Sequence, residues 1–272
     1  MIAINDADFV KLTHFIKDNY GINLTQKRTL IEGRLSNIIL EKGFESFNAY
    51  LDYVFADRSG DEIVVLINRL TTNHTYFMRE SNHFDYLRDT VLPYLEQTVR
   101  DHDLRVWSAG CSTGEEPYTL EMILQDYFSK TNGRWDTQIL ATDISNRALE
   151  IARHGIYSEE GMKDLPSMWK LNYFEKMSSN EGHFRVKDSI RDSVIFRPFN
   201  LMTPDFPFHK KFHVIFCRNV MIYFDQPTKN ALVERYYDAT EPGGYLFIGH
   251  SESISRESTR YKYIMPAVYR KL

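Results

Sequence analysis

The sequence has little cysteine and no long apolar run. Only two of its 272 residues are cysteine, Cys111 and Cys217, and they are not spaced as CxxC. This scarcity argues against a disulfide scaffold or a zinc ribbon and favours a reducing compartment. No run of about 18 apolar residues occurs, which excludes a membrane-spanning helix. The first six residues lack the basic and apolar regions of a signal peptide, so we expect a cytoplasmic protein.

An excess of charge of either sign is also missing. The chain has 33 Lys and Arg against 37 Asp and Glu, which gives a formal net charge of −4. This balance gives no general reason to expect nucleic acid as a partner. The hydrophobic fraction of 43% and the charged fraction of 26% are those of an ordinary globular protein. The length allows one large domain or two smaller ones.

Apolar residues recur at helical spacing through the first hundred residues. The spacing predicts a helix that begins at an Asp6 N-cap and ends near Gly21, and a second over about Lys27–Lys42. Ser46 is expected to cap a third helix, and a fourth is predicted over Asp61–Leu70. A further amphipathic helix is predicted over Asn82–Val99.

From Leu104 onward, apolar runs alternate with helical patterns, as in an α/β domain. The predicted strands are Leu104–Ala109, Gln138–Thr142, Phe212–Cys217 and Tyr245–Ile248, the last of these after a Pro242–Gly244 turn. The predicted helices are Glu116–Phe128, Arg147–His154 and Gln226–Thr240. The tail Tyr261–Arg270 is expected to form a closing strand that Pro266 interrupts.

The alternation breaks between Gly155 and about Asn200. Gly182–Val186 and Ser193–Arg197 are short and strand-like, and polar residues join them. We interpret this stretch as an inserted antiparallel β region.

Ala109–Tyr118 places a glycine turn between the first strand and its helix. The glycines allow backbone N–H groups to approach a ligand closely. Glu115 and Glu116 would repel a phosphate at this helix start and suit a cationic ligand instead. Asp143 ends the next strand, where an acidic residue commonly binds ribose hydroxyls. Together they suggest an adenosine-containing cation such as S-adenosylmethionine, although the glutamates could simply complement the helix dipole and the aspartate could be an ordinary loop residue.

The same loop supports an enzymatic alternative. Gly110–Gly114 matches the G-x-S-x-G nucleophile elbow of α/β-hydrolases, with Ser112 as the nucleophile. Asp205 and His250 follow in the order that a catalytic triad needs. Against this alternative, the two glutamates would place negative charge near a developing oxyanion.

Four motifs of this sequence resemble motifs of the CheR-type chemoreceptor glutamate methyltransferases, and they occur in the order in which that family has them. They are Leu70–Glu80, Ser108–Tyr118, Ile215–Phe224 and Gly249–Ser253. The resemblance covers nearly the whole chain. It implies an all-helical N-terminal domain (residues 1–72), a linker and connecting helix (73–99), and a Rossmann-like α/β catalytic domain of class I methyltransferase type (100–272) with the β insertion at about 155–200.

The resemblance also implies an activity. Family members transfer a methyl group from S-adenosylmethionine to glutamate side chains on the cytoplasmic helical region of transmembrane chemoreceptors, which sets chemotaxis adaptation. S-adenosylhomocysteine is the product, and no metal is expected. We expect a monomer without nucleic acid. A non-catalytic scaffold that binds the cofactor remains an alternative.

The family's functional positions carry over to this sequence residue by residue. Arg79 and Tyr223 are the implied catalytic residues; Glu116 is implied to receive the methionine ammonium group and Asp143 to hold the ribose. The implied cofactor-binding residues are Asn73, Thr75, Arg79, Glu116, Asp143, Asn200, Leu201, Arg218 and Asn219.

A basic patch on the second helix is the expected docking surface for the receptor. Lys27 and Arg34 are seven residues apart and therefore on one side of that helix, and Arg28 lies beside them. The alternative is that these side chains form an ordinary solvated helix edge.

Overall fold

A computed structural model describes residues 2–71, 74–178 and 181–272. The chain divides into two compact units. The first comprises Met1–His74, Asn200–Met202 and Tyr223–Lys229. The second comprises Thr75–Phe199, Thr203–Ile222 and Asn230–Leu272.

Helices build the first unit. The N-cap of helix α1 is Asn5 and not the predicted Asp6, because the Asn5 side chain accepts a hydrogen bond from the Asp8 N–H. The helix ends at Gly21, whose φ of 73° is the left-handed conformation typical of a helix C-terminus. Ser46 caps α3 through the Ala49 N–H, which confirms that prediction. The helices are α1 (Asp6–Tyr20), α2 (Arg28–Glu41), α3 (Phe47–Ala56) and α4 (Asp61–Leu70).

The two arginines of α2 make hydrogen bonds to other parts of this unit. Arg28 donates to a carboxylate oxygen of Asp6 at 2.6 Å and to the Ile4 carbonyl at 2.7 Å. Arg34 donates to the Leu70 carbonyl at 2.7 Å, at the end of α4. Their donors are therefore partly committed within the unit, and α2 begins one residue after Lys27.

The second unit begins with an interrupted helix. The segment predicted as one helix over Asn82–Val99 contains a π-helical turn at Leu87–Val91, which separates α5 from α6. Pro93 lies in the first turn of α6, where its missing N–H costs least. The remaining helices are α5 (Ser81–Tyr86), α6 (Leu92–Thr98), α7 (Glu115–Phe128), α8 (Asn146–His154), α9 (Ser167–Tyr173), α10 (Asp188–Arg191) and α11 (Gln226–Ala239).

Ten strands among the described residues form two sheets. They are β1 (Val106–Ala109), β2 (Ile139–Asp143), β3 (Ile156–Ser158), β4 (Phe174–Lys176), β5 (His183–Val186), β6 (Val194–Pro198), β7 (Phe212–Cys217), β8 (Thr240–Ile248), β9 (Lys262–Met265) and β10 (Val268–Arg270). The large sheet has the order β6-β2-β1-β7-β8-β10-β9. Its first five strands are parallel, and β10 and β9 are antiparallel. The predicted α/β architecture is thereby confirmed.

The small sheet is the insertion, and β5 is the one strand of its three that the sequence predicted. Its order is β3-β5-β4, and all its pairs are antiparallel. The segment Ser193–Arg197, expected in this insertion, forms β6 instead and pairs in parallel with β2. Its alternate residues Val194 and Phe196 are buried, which suits the edge of the large sheet.

The C-terminal segment forms a hairpin rather than one interrupted strand. Pro266 and Ala267 make the turn between β9 and β10, and Ala267 has a φ of 64°. Strand β8 starts earlier than predicted, at Thr240, because Thr240 already pairs with Phe212 of β7. Gly243 and Gly244 exchange backbone hydrogen bonds with Lys271. No helix in the described part of the chain is both long and apolar enough to cross a membrane.

Glu121 is a buried carboxyl group within α7, with no exposed surface. Gln125 donates to its Oε1 at 3.0 Å, and its Oε2 has no hydrogen-bond partner among the described residues. Burial raises the pKa of Glu121 to about 8. The folded chain therefore keeps a proton that the unfolded chain loses above a pH of about 4.3, so stability falls as the pH rises from there towards 8.

We expect Glu121→Gln to stabilise the protein in alkaline solution. Glutamine cannot ionise, so the variant should be more stable than the native chain by about 4 kcal/mol at pH 8 and by about 1 kcal/mol at pH 5. Urea unfolding at both pH values measures the difference. Glu150→Gln, at an exposed position of α8, is the matched control and should change neither value. Equal stabilisation by Glu121→Gln at both pH values would contradict ionisation as its cause.

Candidate active site

The carboxyl ends of β1 and β2 hold the glycine loop in place. The N–H groups of Gly110 and Cys111 both donate to the Thr142 carbonyl, at 2.8 and 2.9 Å. Gly110 and Gly114 have φ values of 94° and 99°, which L side chains rarely adopt. A Cβ on Gly110 would also lie 2.4 Å from the Val220 side chain. The loop therefore needs glycine at both positions.

Asp143 is fixed by two backbone donors. One carboxylate oxygen accepts from the Ser112 N–H at 2.8 Å, and the other accepts from the Ser145 N–H at 2.9 Å. Burial raises the pKa of Asp143, and these two donors oppose the rise. Each oxygen keeps a further lone pair, so the carboxylate can still accept hydrogen bonds from a ligand.

Glu115 and Glu116 start α7 but face different partners. Glu115 accepts from the Thr113 hydroxyl at 2.7 Å. Glu116 accepts from the Ser108 hydroxyl at 2.7 Å and pairs with Arg218 at 3.2 Å. Burial raises the pKa of Glu116, and the Arg218 charge opposes that shift. Glu116 is therefore the glutamate of the pair that takes part in the charged cluster.

Arg218 is the centre of that cluster, and its side chain is only 2% exposed. It bonds Glu80 at 3.1 Å, Glu116 at 3.2 Å and the Arg79 carbonyl. Burial alone would raise the pKa of Glu80, but the Arg218 charge and the His250 N–H hold it below its ordinary value. One buried cation thus lies between two carboxylates.

A further buried carboxylate, Glu252, holds the loop that carries Arg218. Glu252 accepts from the N–H groups of Asn219, Gly249 and Ile222 at 3.0, 2.6 and 3.1 Å. Asn219 has a φ of 60°, a strained conformation that these bonds stabilise. Glu252 therefore positions the Arg218–Asn219 pair.

Comparison with known proteins identifies the chain. The family model "CheR methyltransferase, SAM binding domain" matches residues 73–269, and "CheR methyltransferase, all-alpha domain" matches residues 7–71. The chain belongs to the CheR methyltransferase family. The chemotaxis protein methyltransferase of Borreliella burgdorferi is 42% identical, over 99% of this chain and 96% of its own length. The chemotaxis protein methyltransferase of Escherichia coli is 37% identical, over 98% of this chain and 92% of its own length. A probable chemotaxis protein methyltransferase of Rhizobium etli is 37% identical, over 94% of this chain and 99% of its own length.

The structure places the implied CheR residues in both units. Thr75, Arg79, Glu116, Asp143, Arg218 and Asn219 lie in the second unit, and Asn200, Leu201 and Tyr223 lie in the first. Within the first unit, the Asn200 amide donates to the Asn19 carbonyl at 2.8 Å, and the Tyr223 carbonyl accepts from the Asn23 N–H. Asn73 lies outside the described residues.

The hydrolase alternative is wrong. The Ser112 hydroxyl oxygen is buried and has no hydrogen-bond partner in the described ranges, so no histidine activates it. The His250 ring instead contacts the Asn82 amide at 3.2 Å and the His83 ring. A nucleophilic serine needs a base within hydrogen-bonding distance, and Ser112 has none there.

Sequence reasoning missed Glu80 and Glu252. Each lies within a family motif, yet no short-range pattern shows that it pairs with the Arg218 loop. Glu80 is 138 residues from Arg218 in the chain. The available signal was indirect: a buried arginine requires an acidic partner, and both candidates lie in motifs that also carry site residues.

Proposed function

We propose that this chain is a protein-glutamate O-methyltransferase. It transfers a methyl group from S-adenosylmethionine to glutamate side chains on the cytoplasmic helices of chemoreceptors and forms glutamyl methyl esters. Membership of the CheR methyltransferase family supports the methyl transfer, and the names of the relatives point to chemoreceptors as substrates. The observation that carries the proposal is the pair of carboxyl groups at the glycine loop, Glu116 bonded to Ser108 and Asp143 bonded to Ser112.

The residues at the glycine loop fit S-adenosylmethionine. Asp143 keeps free lone pairs for the ribose hydroxyls, and the buried Ser112 hydroxyl beside it lacks a hydrogen-bond partner among the described residues. Glu115 and Glu116 place two carboxyl groups in the first turn of α7, directly after the glycine loop, which suits a ligand ammonium and repels a phosphate. We infer that Asp143 binds the ribose and that Glu116 receives the ammonium.

Methyl transfer to a glutamate does not need general acid–base catalysis by the protein. A substrate glutamate is already ionised at neutral pH, so no general base is needed. S-adenosylmethionine supplies an activated methyl group on its sulfonium. The protein must align the carboxylate and remove the water around it. We assign orientation of the substrate carboxylate to Arg79, and a place beside the transferred methyl to Tyr223. The Arg79 guanidinium lies 5.8 Å from the Tyr76 ring centre.

We assign docking of the receptor to three basic residues, Lys27 just before α2 and Arg28 and Arg34 within it. Lys27 is exposed, whereas Arg28 and Arg34 are partly buried and have partners within the unit. Lys27 is therefore the basic residue of this patch with most freedom to meet an acidic helix.

The direct test is methyl transfer to a chemoreceptor cytoplasmic fragment. We expect radioactive methyl groups from S-adenosylmethionine to appear on the fragment and to be released by mild alkali, as an ester requires. A fragment with its acceptor glutamates replaced by alanine is the control and should stay unlabelled. Ser112→Ala should retain activity within about tenfold, since the serine is not a nucleophile. Binding of S-adenosylhomocysteine without any labelling would instead favour the non-catalytic scaffold.

A further inference from the structure

Glu80, His83 and His250 form a cluster that the methyl transfer reaction does not use as a unit. One ligand atom from each lies within 4.8 Å of the other two. The His83 Nδ1 is 3.5 Å from the Glu80 Oε2, and the two imidazole rings meet edge to face with centroids 4.6 Å apart. Carboxylate and imidazole are the ligand types that zinc combines in open sites.

His83 is the unusual member of this cluster. Its side chain has no exposed surface, and neither ring nitrogen has a hydrogen-bond partner in the described part of the chain. Buried polar groups without partners are rare, and an ion that binds them is one explanation. His83 follows Glu80 by three residues at the start of α5, so both side chains lie on the same face of the chain.

His250 completes the arrangement from another loop. It is exposed and therefore free to adjust, and its backbone N–H donates to Glu80 at 3.2 Å. The Asn82 Nδ2 lies 3.2 Å from its Nε2. With the Asn82 amide turned over, its oxygen would accept from the Nε2–H, which is the outer hydrogen bond that a histidine bound to metal through Nδ1 makes. Zinc–ligand bonds of about 2.0–2.2 Å need the three ligand atoms to lie about 3.4 Å apart, so closure requires only a small movement of His250 and Glu80.

We propose that Glu80, His83 and His250 bind one divalent transition-metal ion of the zinc type, with water in the fourth position. Glu80 also bonds Arg218 at 3.1 Å, so the metal and the Arg218–Glu80 ion pair compete for the same carboxylate. Bound metal thus weakens the hold of Glu80 on Arg218. The concentration of free metal would therefore set how firmly Glu80 holds Arg218 in the charged cluster.

Calorimetric titration of the full chain with ZnCl₂ tests the site. We expect one equivalent to bind with a Kd below about 10 µM, and His250→Ala to weaken binding by about tenfold or more. His154→Ala is the matched control, because His154 is an exposed histidine outside the cluster, and it should bind as the native chain does. Absence of binding, or equal binding by His250→Ala and the native chain, would overturn the proposal.

Two further measurements do not depend on that variant. Co²⁺ bound to the native chain should give the strong visible absorption of a four-coordinate site, and Zn²⁺ should remove it by displacement. Zn²⁺ should also raise the Tm of Arg218→Met more than that of the native chain, since the ion replaces the missing positive charge and no longer competes with the guanidinium. Weak octahedral Co²⁺ absorption, or a smaller Tm shift in Arg218→Met, would count against the site.

Discussion

Arg218→Met should destabilise the protein by about 3–5 kcal/mol, the usual cost of leaving a buried carboxylate without its partner. The side chain of Arg218 is 2% exposed, and its loss would leave Glu80 and Glu116 facing each other. Methionine keeps much of the length of the side chain, so the loss of charge and donors dominates over any cavity. The midpoint of urea unfolding measures the change at constant pH.

Two comparisons separate the charge from the packing. Glu80→Gln in the Arg218→Met background should recover part of the loss, because it removes one of the uncompensated charges, and a double-mutant cycle gives the coupling. Arg88→Met is the matched control, since Arg88 is about half exposed in its ion pairs with Asp85 and Asp89, and should cost less than about 1 kcal/mol. A loss of similar size in both arginine variants would show that Arg218 is not an electrostatic anchor.

The effect of Arg218→Met should also depend on pH. Without the guanidinium, burial would raise the pKa values of Glu80 and Glu116 in the folded chain above those in the unfolded chain. A carboxyl group whose pKa is higher in the folded chain makes the folded state less stable as the pH rises from the unfolded pKa to the folded pKa. The variant should therefore be closer to the native chain at pH 5 than at pH 8.

Asp143→Ala should weaken binding of S-adenosylhomocysteine by about a hundredfold or more. Hydrogen bonds to a charged group contribute about 1.5–3 kcal/mol each, and the proposed role gives Asp143 the ribose hydroxyls. The variant also removes the acceptor for Ser112 and Ser145, so the glycine loop loses an anchor. Calorimetric titration measures the affinity, and thermal melting shows whether the variant folds.

Two matched variants complete this experiment. Asp143→Asn keeps the shape and one carbonyl acceptor, so it should lie between alanine and the native residue. Asp164→Ala removes an exposed aspartate of the same unit and should leave the affinity unchanged. Binding by Asp143→Ala within about threefold of the native affinity would remove Asp143 from the proposed cofactor site.

Much of the fold was predictable because helix caps and apolar spacing are properties of short stretches of sequence. Helix α4 matches the prediction at both ends, and the Ser46 cap was correctly identified from the sequence. At the start of α1, Asn5 and Asp6 are both good N-cap residues, and only the geometry decides for Asn5. The π-helical turn over Leu87–Val91 was not predictable, since its apolar spacing is close to that of an α-helix.

What the sequence could not show depends on distant parts of the chain. The segment that forms β6 has the same alternation as an inserted strand, and only its pairing with β2 assigns it to the large sheet. The sequence could predict the glycine loop, Glu116 and Asp143 as site residues because a strand–turn–helix pattern points to them. The pairing of Arg218 with Glu80, and of His83 with His250, has no such local pattern.

The order of strands in the large sheet has a consequence for biosynthesis. Strand β10 comes after β9 in the chain but lies between β8 and β9 in the sheet. While the ribosome is still adding Val268–Arg270, the edge of β8 has no neighbour and β9 has nothing to pair with. The second unit can therefore complete its sheet only after the β9–β10 hairpin emerges, and a nascent chain that stalls before it exposes a strand edge to chaperones and to other chains.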